Sequence, residues 1–310
     1  MESIDKAREL NDEGIQLAVE EEDLPGAIKK FLEAIDCIKA EQRVSFELSE
    51  TQFLVGMAYL KLDENQPAEK YFKKAAETNN NDNKRLSNKC YLYLGMLKYS
   101  SNKYSEAIDL LNNIKIKIGF DDDYYGNDDD ERHSYFVMQG VSYSELGNNK
   151  KALKFLYKAL NIPLNNNRDF EVYYHIGCIY YQMNNYKKAL KFYEESISVN
   201  PDQPEGFKQL TLLRLAYMYM YKEEYEKAIQ LCEEIEQKQD INIRLENLYV
   251  TRGRCHSRLG QVMQALKYFE KAWEMKEQLN DGWRNRIQEW LVEYYTEVGN
   301  QKRVSELKKS

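Results

Sequence analysis

The residues of this chain that could do chemistry are three histidines, five cysteines, a group of arginines and one run of acids. His175 and Cys178 lie one helical turn apart and Cys255 adjoins His256, so the two pairs together would offer imidazole and thiolate ligands to a transition metal. The acidic run, Asp121-Asp-Asp-Tyr-Tyr-Gly-Asn-Asp-Asp-Asp-Glu131, holds seven carboxylates in eleven positions. Asp121, Asp123 and Gly126 fit the first, third and sixth places of a calcium loop. Tyr125 stands in the fifth, however, and Arg132 in the twelfth, where a bidentate glutamate is needed. Self-repulsion should keep the run extended and solvated. Arg214, Arg252, Arg254 and Arg258 cluster toward one end, where guanidinium groups could hold a carboxylate from a side chain or a chain terminus. The alternative for that cluster is an ordinary solvated face. Three scattered histidines, no glycine-rich phosphate loop, no His-Glu-x-x-His and no nucleophile elbow leave catalysis without a candidate. No enzyme activity, cofactor or metal is expected.

What must position these residues is a repeat. Ala27, Ala68, Ala107, Ala152, Ala189, Ala228 and Ala265 recur at steps of 41, 39, 45, 37, 39 and 37 residues. Twelve positions earlier stands a small residue (Gly56, Gly95, Gly140, Gly177, Ala216, Gly253), or Gly14 thirteen before Ala27. Four positions after each alanine comes Phe31, Phe72, Leu111, Leu156, Tyr193, Cys232 or Phe269, and seven after comes a small or aliphatic residue. Apolar positions three, four and seven apart line one helix face, so each unit reads as two antiparallel helices that cross closely at the small residue. Tyr59, Tyr143, Tyr180 and Tyr219, three residues past the small residue, are expected to fill the remaining gap. His256 falls in the same slot and is expected to pack likewise. A lone hairpin cannot bury its own apolar faces, and stacking on its neighbours supplies the core.

The expected architecture is therefore all-α, a right-handed α-solenoid of about eight stacked hairpins in one elongated domain over residues 1–310. The hairpins are expected at about 3–38, 47–79, 86–117, 132–163, 168–200, 205–237, 244–279 and 282–309, with an acidic insertion loop at 118–131. The first turn is placed at Asp23-Leu-Pro-Gly26. The last unit is eroded: its first helix carries Trp283, Ile287, Trp290, Leu291 and Tyr294, and its second offers only Val304 and Leu307.

Composition narrows the class. Hydrophobic residues make up 43% and charged ones 31%, with 25 tyrosines and only 5 prolines, which suits amphipathic helices and argues against disorder or an all-β fold. A net charge of −7 supplies no global positive field, so nucleic acid is not an expected partner. No run approaches the roughly 18 apolar residues of a membrane span, and the amino terminus lacks an apolar leader, so a soluble cytoplasmic protein without membrane contact is expected. Cys37, Cys90, Cys178, Cys232 and Cys255, odd in number and inside expected helices, fit reduced thiols.

The stretch Tyr173-Tyr-His-Ile-Gly-Cys-Ile-Tyr-Tyr-Gln-Met-Asn-Asn-Tyr-Lys-Lys-Ala-Leu-Lys-Phe-Tyr-Glu-Glu-Ser-Ile-Ser-Val-Asn-Pro201 resembles a tetratricopeptide repeat, through Gly177, Tyr180, Ala189 and the helix-ending Pro201. The other units resemble it more loosely. Family units are 34 residues long, so steps of 37 to 41 imply longer helices or longer connections, as in bacterial peptide-pheromone receptors including the Rap-type regulators. Those receptors usually carry an amino-terminal helix-turn-helix or helical bundle, whereas the repeats here begin near residue 3. The resemblance implies a non-enzymatic adaptor or scaffold that grips a protein or peptide in a groove lined by the first helix of each hairpin. The lining would include Met57, Met96, Tyr99, Tyr174, Cys178, Tyr181, Arg214, Tyr217, Met220, Arg254 and Arg258. Burial between neighbouring helices is the competing expectation for the apolar members. A carboxylate clamp of the co-chaperone kind is disfavoured: Asn11 could match one place, but Phe53, Met57, Leu92 and Met96 occupy those that follow. Two other roles stay open, a peptide-sensing receptor of the pheromone type and a structural subunit of a larger complex, with self-association through the last hairpin's aromatic stripe.

Overall fold

The computed structural model describes residues 2–40, 46–79, 83–114, 129–163, 168–238 and 243–309. These residues form sixteen α-helices in eight consecutive hairpins. They fall into two compact units, residues 1–164 and 165–310. The first unit holds α1 (Glu2–Val19), α2 (Leu24–Ala40), α3 (Phe46–Lys61), α4 (Asn65–Asn79), α5 (Lys84–Ser100), α6 (Tyr104–Asn112), α7 (Asp129–Glu145) and α8 (Asn149–Leu160). The second holds α9 (Asp169–Gln182), α10 (Tyr186–Val199), α11 (Glu205–Tyr221), α12 (Tyr225–Glu236), α13 (Leu245–Arg258), α14 (Val262–Glu274), α15 (Asp281–Glu297) and α16 (Gln301–Leu307). Within each unit the second helix of a hairpin packs against the first helix of the next, so the apolar face left by one pair is covered by its neighbour. No described residue lies in a strand.

All seven period-marking alanines are fully buried. The gap beside each small residue is closed by the large side chain four places after the alanine, and the expectation for the tyrosines is corrected accordingly. A Cβ added to Gly56 would lie 2.7 Å from the Phe72 ring, one on Gly177 2.7 Å from the Tyr193 ring, and one on Gly140 2.6 Å from Leu156. The sixth hairpin carries Ala216 in the glycine slot and the smallest of the seven facing residues, Cys232, so the pair conserves volume. The residue three past the glycine sits one layer out. There Tyr59 stacks on Tyr71 at 5.8 Å, Tyr143 on Phe155 at 5.5 Å, Tyr180 on Phe192 at 5.4 Å and His256 on Tyr268 at 5.4 Å. His256 thus occupies the tyrosine slot as a packing residue.

The hairpin turns repeat as closely as the helices. One residue in each turn has positive φ: Glu22, Asp63, Asn102, Gly147, Asn184, Glu223, Gly260 and Gly299. Each lies five places before the buried alanine, or before Val304, which fills that slot in the last hairpin. From the second hairpin on, the next N–H closes the helix end by donating five residues back, as Asn148 does to Tyr143 at 2.8 Å and Asn185 to Tyr180 at 2.8 Å. Asn148, Asn185 and Asn300 then cap the following helix with their side chains. In the first turn Asp23 is the cap, accepting from the Gly26 N–H at 3.0 Å, and Pro25 and Gly26 belong to the first turn of α2. The turn therefore precedes its expected place.

The acidic run falls mostly outside the described residues. Its last three members, Asp129, Asp130 and Glu131, form the first turn of α7, where carboxylates favour the positive end of the helix dipole. At the other end, the aromatic stripe of α15 is engaged within the unit. Trp290 lies 4.9 Å from Phe269, Tyr294 6.1 Å from the same ring, and Ile287 and Leu291 are fully buried.

Candidate functional site

The first helices of the 165–310 unit bring together most of the residues expected to line a binding face. Tyr181, at the end of α9, meets Tyr217 of α11 edge-on at 6.0 Å. Tyr217 meets Tyr221 one turn on at 4.8 Å, and their hydroxyls are 2.9 Å apart. Tyr186, opening α10, lies 5.7 Å from both Tyr181 and Tyr221. The four rings close a circuit, and the Arg254 guanidinium of α13 lies 5.7 Å from the Tyr221 ring. The circuit is half-open to solvent, with Tyr186 41% and Tyr221 47% exposed. Burial, followed by hydrogen bonds with Tyr221 and Tyr181, pushes the Tyr217 hydroxyl above the usual phenol range. The Tyr217 hydroxyl therefore stays protonated at neutral pH, able to donate as well as accept.

One turn deeper along α9, Tyr193 donates to the Cys178 sulfur at 3.4 Å. The Arg214 guanidinium of α11 faces the Tyr174 hydroxyl, Cys178 and Tyr193. Burial pushes Tyr174 up to about 12, Cys178 adding to the shift and Arg214 opposing it. Burial also lowers His175 to about 4, which keeps the imidazole neutral at physiological pH. Glu171, one turn before His175, has its carboxyl raised by burial, with Arg168 opposing.

Of the nine guanidinium groups of the 165–310 unit, five are ion-paired, and Arg168, exposed at the start of α9, stands with the three on α11 and α13 that are not. Arg244, Arg252, Arg284, Arg286 and Arg303 are all ion-paired. Arg214 and Arg258 are exposed, Arg254 is half-buried, and no carboxylate of the described residues lies within 4.0 Å of any of the three. Arg252 leaves the expected cluster: its side chain is only 8% exposed, pairs with Glu233 and Glu236 of α12, and lies 4.2 Å from the Tyr268 ring. It fastens α12 to α13 and offers a partner nothing.

Burial removes two further expected members from any accessible face, since Tyr174 is 6% and Met220 5% exposed. Cys178 and Tyr181 are half-buried. In the 1–164 unit, half-buried Met57 packs against the cluster of Phe72, Leu94 and Leu97, while Met96 and Tyr99 pack against that of Leu111, Tyr135 and Met138. These three serve the seam between hairpins. Tyr186 and Tyr221 were not among the residues expected from sequence. Tyr221 lies one turn past Tyr217, which is the signal that could have found it, while Tyr186 opens a second helix and carries no first-helix signature.

Among the described residues no group of three His, Cys, Asp or Glu side chains is placed to hold a metal. All five cysteines are unpaired. No helix of the described residues is long and apolar enough to cross a membrane.

Comparison with known proteins agrees with the architecture. Residues 49–82, 133–166, 170–203, 211–242 and 246–279, together more than half of the chain, match family models described as tetratricopeptide repeat. The matched windows are 32 to 34 residues long, so the extra residues of the longer period lie between them, partly in the connections and partly in the first helices, since α7 begins four and α11 six residues before its window. Among solved structures, the apo form of RapI is similar over 98% of this chain and 84% of its own, with TM-score 0.67 and 14% identity. A tetratricopeptide repeat protein from Parabacteroides merdae covers 93% of this chain and 98% of its own, with TM-score 0.57 and 17% identity. A chain of the APC/C hetero-tetramer Cut9–Hcn1 covers 88% and 48%, with TM-score 0.56 and 12% identity. No curated protein sequence matches.

Proposed function

We propose that this chain, which belongs to the tetratricopeptide repeat family, is a protein-interaction scaffold whose 165–310 unit grips a peptide segment of a partner across the first helices of its hairpins. The observation that carries this is the half-open circuit of Tyr181, Tyr186, Tyr217 and Tyr221, continued to Arg254, which spans three hairpins without being needed to fill their cores. Tyrosine and arginine give large contact area with few rotatable bonds and a polar tip, the residue types that dominate protein-binding hot spots. The solved relatives add a precedent for protein partners, since one of them is a member of a hetero-tetramer. Family modules of this kind typically bind proteins and do no chemistry, and we extend that role to this chain. Five unpaired thiols fit a reducing compartment, so we place its action in the cytoplasm.

The test is capture of a bound peptide by the full chain and by its Tyr181→Ala and Tyr217→Ala variants, with helicity followed by circular dichroism. Removal of a central aromatic anchor typically weakens binding by about 2 kcal/mol, roughly thirtyfold. Full capture by both variants would show that this face is not the binding surface.

A further inference from the structure

Resting on the assignment of that face, we infer that the segment it takes is acidic, with at least two side-chain carboxylates flanking an aromatic or aliphatic residue. Three guanidinium groups on α11 and α13, Arg214, Arg254 and Arg258, have no carboxylate of the described residues within 4.0 Å, while the ion-paired arginines of the same unit include four that are likewise partly exposed. The contrast is marked in a chain with 51 acids to 44 bases, where intramolecular carboxylates are the commoner charge. A cation left unpaired beside aromatic rings keeps its capacity for charge-assisted hydrogen bonds, and a carboxylate partner satisfies it.

The spread of the charges decides between internal acids and a chain terminus. Arg214 faces Tyr174 of α9, whereas Arg254 lies over the Tyr221 ring, seven residues or about 10 Å further along α11, so the guanidinium groups serve separate points of the face. A terminus brings only one such group, whereas acidic side chains spaced along a segment reach both helices. Between the charges lie the rings of Tyr217 and Tyr221, which present an apolar surface with hydroxyl edges to the residue that separates the acids. A basic or neutral segment would leave three cations facing it uncompensated, and complementarity of charge excludes such partners.

The experiment selects binders from a displayed library of random dodecapeptides on the full-length protein, and in parallel on Arg254→Gln/Arg258→Gln and Arg214→Gln/Arg254→Gln/Arg258→Gln variants. Because Arg214 faces the buried Tyr174, the double variant keeps the test valid if the triple one misfolds. Sequences enriched on the native protein are expected to carry two or more Asp or Glu around an apolar residue. A synthetic peptide of the winning sequence, amidated at its terminus, is expected to bind about tenfold more weakly to the double variant and to weaken steeply with salt. Enrichment without acids, or acidic enrichment that survives in both arginine variants, overturns the inference. So does binding that vanishes on amidation, which would assign the guanidinium groups to a terminal carboxylate. If the selected peptides lack acids yet lose binding in Tyr181→Ala and Tyr217→Ala, the face stands and only its charge preference falls. If no enriched peptide depends on either tyrosine, both fall.

Discussion

Substituting Gly253 by alanine tests how tightly the hairpins are fitted. The new Cβ would lie 2.7 Å from Cδ1 and Cε1 of Phe269 and 3.2 Å from its Cζ. Ordinary carbon contacts are about 3.5–4.0 Å, so the ring must retreat by about 1 Å. It has nowhere to go: Phe269 is 1% exposed, with Trp290 at 4.9 Å and Tyr294 at 6.1 Å beyond it. Overpacking of this kind costs about 1–3 kcal/mol. Alanine's advantage over glycine inside a helix returns about 0.5–1 kcal/mol. The expected net loss is about 1–2 kcal/mol. All three tryptophans, Trp273, Trp283 and Trp290, lie in or beside α14 and α15, so urea unfolding followed by tryptophan fluorescence reports this end of the chain. With a slope of about 1–3 kcal/mol per molar, the midpoint should fall by roughly 0.5–1 M. The sixth hairpin supplies the control, because it already pairs Ala216 with Cys232. In a Phe269→Cys background, itself destabilised by about 3 kcal/mol through the cavity, the same glycine substitution should become neutral or stabilising. A Gly253→Ala protein as stable as the native one, or an equal loss in both backgrounds, would refute the fitted-gap account.

Three other outcomes follow from the same structure. Glu223 holds φ 64° in the α11–α12 turn, so Glu223→Gly should raise stability by about 0.5–1 kcal/mol in thermal melts, while Gly260→Ala, at φ 70°, should lower it. Arg252→Met should destabilise the 165–310 unit by about 1 kcal/mol in urea, since Glu236 keeps Lys271 and Glu233 reaches solvent but the brace between α12 and α13 is lost, and a neutral effect would show that the pair contributes no net stability. His175 is held at about 4, below its unfolded value of about 6.5, so the unfolded chain binds the extra proton first. Stability from this group is present above pH about 6.5 and is lost as the pH falls toward 4; His175→Gln should flatten that slope, and an imidazole titrating near 6.5 by NMR would contradict the burial argument.

The hairpin phasing was legible because a repeat writes one physical constraint many times. The buried alanine, the small residue twelve before it and the bulky one four after it each recur, so a misfit in one copy, such as Ala216, is read against the others. The partner of each glycine was not legible. Two aromatic residues, such as Tyr59 and Phe72, both lie at plausible spacing, and only the crossing geometry sends Phe72 to the glycine and Tyr59 to Tyr71. Accessibility was equally hidden. Met220 and Tyr181 occupy the same repeat position, yet one is buried and the other half-open, because neighbouring hairpins differ in what they place opposite. Arg252 and Arg254 are two residues apart and face opposite sides of α13, so a cluster seen along the sequence resolves into one ion-paired brace and one guanidinium over Tyr221.

The most direct measurement of the binding account is photocrosslinking of a selected dodecapeptide carrying benzoylphenylalanine at its apolar position, followed by mass spectrometry of the full chain. Crosslinks should fall on Tyr181, Tyr217, Tyr221 and Arg254, along α9, α11 and α13. Crosslinks confined to α12 and α14, or to α10 beyond Tyr186, would contradict it.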